Sequence, residues 1–140
     1  MPWDDTFYLG ETLDEADFLT LNEIFASSDL LDPDATFAPF SSYTDDVDGG
    51  RTGRGFPVAT WKWNAIEDLQ VEALRVYCAA LSSDVYIRTQ TNQVDVYGAP
   101  VFATYKAKML WMPRDEDKQA GKTLGFVIEF RHLIIQAEIP

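Results

Sequence analysis

Residues 101–112 read V-F-A-T-Y-K-A-K-M-L-W-M. Val101, Ala103, Tyr105, Ala107, Met109 and Trp111 share one face of an extended chain, and Thr104, Lys106 and Lys108 share the other. Side chains alternate across a strand, so a period of two with one apolar face predicts a long strand, half buried. Pro113 breaks it, and residues 114–121 make a charged turn. Alternation resumes over residues 122–135, with Leu124, Phe126, Ile128 and Phe130 on one face and Glu129 and Arg131 opposite. Two such strands joined by a charged turn predict an antiparallel hairpin.

Upstream, residues 85–91 (V-Y-I-R-T-Q-T) are β-branched and alternating, which predicts a further strand. Before it, Ile66, Leu69, Ala73, Leu74, Tyr77 and Leu81 form a helical apolar stripe, with Asn64 and Glu67 spaced as a cap and its partner. A helix over about 65–81 is predicted, ended by Ser82, Ser83 and Asp84. Residues 56–63 (F-P-V-A-T-W-K-W) alternate again, with Ala59, Trp61 and Trp63 on one side. Residues 28–56 read as a long irregular connection holding Pro33, Pro39, Gly49, Gly50, Gly53 and Gly55. Structureless loops beyond about 15 residues are unusual in compact domains. The aromatics of this one (Phe37, Phe40, Tyr43, Phe56) predict an arm that packs on a neighbour or on its own domain. Residues 1–10 read as a short strand or arm. Thr12 and Glu15 have capping-box spacing for a short helix through about Ser27.

The expected architecture is therefore α+β and mainly β. It is an antiparallel β-sandwich or sheet flanked by one helix (about 65–81), with a long N-terminal arm and loop. One domain is expected over 1–140, with 1–56 as arm, short helix and long loop and 57–140 as the sheet-plus-helix core. No internal repeat or low-complexity segment stands out.

Apolar residues make up 46% of the chain and aromatics 14%, enough for a sizeable core. No run approaches the roughly 20 apolar residues of a membrane helix. The opening M-P-W-D-D-T-F-Y-L-G is acidic and lacks an apolar stretch, so no secretory signal is expected. Cys78 is the only cysteine, which excludes an intrachain disulfide and fits a reducing cytoplasm. Net charge is −12, and residues 1–50 hold thirteen acids and no base. A surface this negative repels nucleic-acid phosphates and anionic lipid.

Motifs for chemistry are sparse. His132 and Cys78 lie in separate predicted elements with no acyl-transfer motif around either; inert packing is the usual fate of such a cysteine. Asp46, Asp48 and Gly49 resemble the start of a calcium loop. The position that requires a bidentate Glu is Gly55, however, and Arg51 and Arg54 bring positive charge. The G-G-R-T-G-R-G run (49–55) lacks the lysine of a phosphate-binding loop. Trp61, Trp63 and Trp111 suit either a sugar platform or a core. No catalytic residue, metal ligand or cofactor is indicated. Arg51 and Arg54 on a Gly-rich loop fit contacts to an acidic patch of a neighbouring copy, because the guanidinium fork binds carboxylates bidentately.

Three segments together resemble a known group: D-G-G-R-T-G-R-G-F-P-V-A-T-W-K-W (48–63), L-R-V-Y-C-A-A-L-S-S-D-V-Y-I-R-T-Q-T-N (74–92) and L-G-F-V-I-E-F-R-H-L (124–133). Their order and content resemble small structural proteins from the tail modules of tailed bacteriophages, of tail-tube or distal-tail type. The resemblance implies a β-sandwich with a flanking helix, whose copies join sheets into rings, commonly hexameric, that stack as a tube for DNA. It implies a loop and arm reaching to adjacent subunits, and a virion protein, not an enzyme, assembled in the host cytoplasm. Partners would be copies of itself and neighbouring tail proteins, with DNA only passing and no membrane. Phe37, Phe40, Tyr43, Arg51 and Arg54 are the expected interface residues. Lys106 and Lys108 depart from an all-acidic lumen if the 101–112 strand lines it. The alternatives are a tail-tip, adaptor or head–tail joining protein, or a carbohydrate-binding module using the three tryptophans.

Overall fold

The computed structural model describes residues 4, 6–14, 16–25, 33–78, 80–111 and 117–136. In chain order the elements are β1 (Tyr8–Gly10), β2 (Leu19–Thr20), α1 (Leu21–Phe25), β3 (Asp34–Ala38), β4 (Ser42–Asp45), β5 (Arg51–Arg54), β6 (Val58–Glu67), α2 (Asp68–Arg75), β7 (Ser82–Val94), β8 (Pro100–Trp111), β9 (Asp117–Gln119) and β10 (Lys122–Ile135). The protein is mainly β, with one antiparallel sheet and a short flanking helix, as its patterning indicates. The sheet runs β2-β1-β7-β8-β10-β6-β3, and β9 pairs beside β10. It curls: β3 and β7 are not hydrogen-bonded neighbours, yet their Cα atoms approach within 8 Å.

The core fills the inside of that curl. Trp61, Ile87, Met109, Ile128 and Phe130 are fully buried from four strands, and Leu9 joins them from β1. These are the apolar faces that the alternation picks out on β6, β8 and β10. Trp61 also meets the one polar demand of its indole, donating Nε1–H to Thr89 Oγ1 at 2.9 Å across the core. A bulge shapes the end of β10. Arg131 pairs with Lys108 and Ile134 with Lys106, so His132 and Leu133 together oppose Ala107. His132 takes φ 57 there, and Leu133 turns into the core.

Local signals gave way to pairing in three places. The helix expected over 65–81 is α2, and it begins only at Asp68. Ala65, Ile66 and Glu67 instead pair with Leu124, Thr123 and Lys122, so the strand consumes the Asn64 cap signal. The cap shifts to Glu67, whose N–H donates to Gln70 Oε1 at 3.2 Å. Beyond Arg75 only turns remain, through Tyr77 and Cys78. The helix expected from Thr12 shrinks to α1. Its cap is Thr20, whose Oγ1 accepts from Glu23 N–H at 3.3 Å and donates to Glu23 Oε1 at 3.0 Å. Glu15 lies outside the described residues, as do residues 26–32. Finally, 1–56 is less of an arm than expected. β1 pairs with β7 inside the sheet, and β3 pairs with β6 along its whole length.

Candidate functional site

The curled sheet has two ends. α2 covers one, packing on β6, β10 and α1. It is fastened by Asp68 N–H donating to the Gly121 carbonyl at 3.0 Å and by Thr123 Oγ1–H donating to Asp68 Oδ1 at 2.9 Å. Phe126 packs against the Trp63 ring at 5.9 Å and edge-to-face against Trp111 at 5.2 Å, and the Arg75 guanidinium lies 4.7 Å over the Trp111 ring. Glu11 and Asp17 stand near this end. Burial first, then those two carboxylates, push the Tyr77 phenol above its ordinary pKa.

Among the described residues no helix covers the other end. Two hairpins leave it, β4–β5 and the tip of β7–β8, and their roots line one cleft of ≈ 590 Å³. Phe37, Pro39, Phe56 and Pro57 come from the first root and Thr91, Asn92, Gln93 and Val101 from the second. Tyr105, Leu133, Ile134 and Ile135 form the floor. Twelve large apolar residues are exposed among the described residues. Nine belong to this end: Phe40, Tyr43, Val47, Phe56, Val94, Val96, Tyr97, Ile134 and Ile135. The other three, Leu69, Val76 and Leu81, lie on or just beyond α2. Soluble domains rarely concentrate exposed apolar surface this way unless something docks there.

The hairpin tips share one construction. D-V-D-G-G (46–50) and D-V-Y-G-A (95–99) are five-residue loops between paired positions, Asp45↔Arg51 and Val94↔Pro100. In each, the Asp N–H donates to the carbonyl four residues on (Asp46 to Gly50, 2.7 Å; Asp95 to Ala99, 2.9 Å). In each, the Gly N–H returns to the Asp carbonyl at 3.1 Å. Gly49 and Gly98 sit at φ 91 and 82, a left-handed conformation that glycine adopts without a Cβ clash. Side chains brace both loops. Asp48 Oδ1 accepts from Gly50 N–H at 2.9 Å, Asp46 Oδ2 from the Thr52 hydroxyl at 2.7 Å, and Asp95 Oδ1 from Tyr97 and Ala99. The result holds Val47, Val96 and Tyr97 out in water, at 110%, 92% and 91% exposure.

The expected interface residues divide over this end. Phe37 is half-buried, 5.7 Å from the Tyr105 ring, and works mainly as packing. Phe40 and Tyr43 are exposed on the β4 side of the hairpin. Arg51 is already engaged at home: its Nε is 2.7 Å from Asp45 Oδ1 and its guanidinium lies 4.0 Å over the Tyr43 ring. Arg54 Nε–H donates to Thr44 Oγ1 at 2.6 Å. Within one copy, both arginines stiffen the hairpin.

Side chains with reactive chemistry are kept apart. Cys78 is buried against the Met109 and Ala80 carbonyls, whereas His132 is exposed and rests on Phe56 at 3.9 Å. All three candidate platform tryptophans, Trp61, Trp63 and Trp111, are buried, so they present no flat surface to a sugar. Asp46 and Asp48 spend their carboxylates on the turn, as above. The described residues bring together no group of three His, Cys, Asp or Glu able to hold a metal, and no helix among them is long and apolar enough to cross a membrane. The twin turns went unread in the sequence. Their signal is D-V-x-G, recognisable only once both copies are known to sit at hairpin tips.

Comparison with protein-family models, curated proteins and solved structures finds no match for this chain.

Proposed function

We propose that this protein is a structural, self-assembling subunit of a phage tail, its copies joining into rings that stack as a tube through which DNA passes. The observation that carries the reading is the hairpin end, where an apolar cleft and two apolar tips stand uncovered. The β4–β5 pair supports it further. It forms a sheet of its own, with strands of four residues, hydrogen-bonded to no strand of the body. A lone two-stranded hairpin is marginal in water, so a neighbouring molecule is its natural support. Among the described residues β2 is also paired on one side only, and an edge of that kind invites a strand from the next copy. Heterologous contacts of that kind close rings or grow tubes.

Charge fits this role in part. Acids dominate the first third of the chain, and of the two bases that depart from an acidic lumen, Lys106 and Lys108, the second is matched by Asp84 at 2.6 Å. On this reading the protein is no enzyme, works in the virion, and takes no cofactor. A tail-tip or adaptor role would use the same surfaces and differ in copy number per particle. The burial of the three tryptophans weighs against the carbohydrate-binding alternative.

Negative-stain electron microscopy of the purified protein over a range of concentrations tests the proposal. Rings or tubes with a central hole are expected. Isolated particles of single-copy size at the highest concentration would contradict it.

A further inference from the structure

We propose that the cleft at the hairpin end is a binding site for a neutral, largely apolar small molecule with one carbonyl group, which accepts a hydrogen bond from the Tyr105 hydroxyl at the floor. The site stands apart from the assembly reading and needs no second copy.

Tyr105 is the reason for a ligand. It shares a face of β8 with Val101 and Ala103, and all three line the cleft. The residue is only 7% exposed, with its ring 5.7 Å from that of Phe37. Its hydroxyl nevertheless has no hydrogen-bond partner among the described residues. Every side-chain N or O sealed from solvent among them does have one, so this hydroxyl meets whatever enters the cleft. Polar groups at such depth are normally paired, and one left over at the bottom of a hollow points to a missing partner. Burial pushes the phenol above its ordinary pKa, which keeps the proton in place as a donor. The other hydroxyl of the lining is taken, because Thr91 Oγ1–H donates to the Val101 carbonyl at 2.9 Å.

Shape and charge narrow the ligand. A volume of ≈ 590 Å³ suits a small molecule, and such sites favour the mouths of barrels, where apolar walls surround a few polar groups. Phe37, Leu133 and Ile135 supply apolar wall, and every described residue of the lining is uncharged. An ionised ligand would shed its hydration against these walls and find no counter-charge. An extended peptide suits them no better, because each of its residues brings an N–H and a C=O that need partners. Asn92 and Gln93 stand at the exposed mouth, which leaves Tyr105 as the floor's one free donor. A single carbonyl on an apolar body matches it.

Fluorescence titration of the full chain with Nile red, a neutral dye with one carbonyl, tests the site. Methyl nonyl ketone and undecanoate serve as competitors at mildly alkaline pH. Saturable uptake of one dye per chain is expected, displaced by the ketone and at least about tenfold more weakly by undecanoate. Tyr105→Phe keeps the ring and should keep the wild-type melting curve, while the ketone competes about three- to tenfold more weakly. Val101→Trp, which fills the wall beside the floor, should abolish uptake. Uptake that does not saturate, or that is unchanged in Val101→Trp, places the dye on the exposed tips and overturns the site. So does undecanoate competing as well as the ketone, or Tyr105→Phe binding the ketone as the wild type does. None of these results touches self-assembly, which sedimentation reads separately.

Discussion

The β4–β5 and β7–β8 hairpins end in the same turn, D-V-D-G-G and D-V-Y-G-A, but stand on different foundations. β7 and β8 are thirteen and twelve residues long, run through the middle of the sheet, and bury Ile87, Thr89, Ala107 and Met109 beneath the tip's root. β4 and β5 have four residues each and every one of them is at least partly exposed. Five residues with an Asp at the start and a Gly fourth suffice to set the turn geometry in both settings. They do not set how firmly the turn is held, because that depends on apolar burial further down the strands. One hairpin belongs to the fold, and the other belongs to whatever the fold meets.

This difference can be broken from the core outward. Ile87→Ala, on β7, removes a fully buried side chain and should cost about 2–5 kcal/mol in urea unfolding. Tyr43→Ala, on β4, should leave global stability within about 0.5 kcal/mol, as for other surface changes. Equal losses would mean that the hairpin is part of the cooperative unit after all.

The turns sharpen the comparison at lower energies. A β-branched residue at the left-handed positions should cost about 1–2 kcal/mol. Gly98→Val should therefore lower the global unfolding free energy by that amount, because β7–β8 opens only with the sheet. Gly49→Val should leave the global value unchanged and speed hydrogen exchange only at the β4–β5 amides. If both variants shift global stability alike, the two foundations are not distinct.

The smallest effect is expected at the surface of the sheet. The Lys108 ammonium donates a hydrogen bond to Asp84 and holds its carboxyl below the ordinary carboxylate range, with a further pull from Lys106. A depressed folded-state pKa stabilises the fold above the unfolded value and loses that contribution as pH falls through the folded one. In Lys108→Met the Asp84 titration, followed by NMR, should move up toward the ordinary value, with little change in melting temperature because the pair is exposed. An unmoved titration would remove Lys108 as the cause.

Period-two patterning made the body of the molecule legible. The alternation over residues 122–135 coincides with β10, and that over 101–112 with β8 to within a residue. Caps were less reliable guides. Asn64 and Glu67 have helix-start spacing, yet three residues there gain cross-strand partners, and local preference is weaker than pairing plus burial of Ile66. β3 was hidden because Asp34–Ala38 is short and lies among prolines; its place in the sheet comes from β6 beside it. Of the candidate site, the aromatics and arginines of the 28–56 segment were legible as unusual. The cleft was not, since its floor comes from Tyr105 and Ile134 on strands distant in sequence, brought together only by the curl and the bulge at His132.

Sedimentation velocity of the wild-type chain across concentration, beside a variant with residues 41–54 replaced by a short Gly-Ser turn, tests the central claim most directly. Self-assembly through the hairpin end predicts a larger species that grows with concentration in the wild type, and a folded monomer throughout for the variant. A wild type that sediments as a monomer at every concentration, or a variant that assembles as the wild type does, would contradict it.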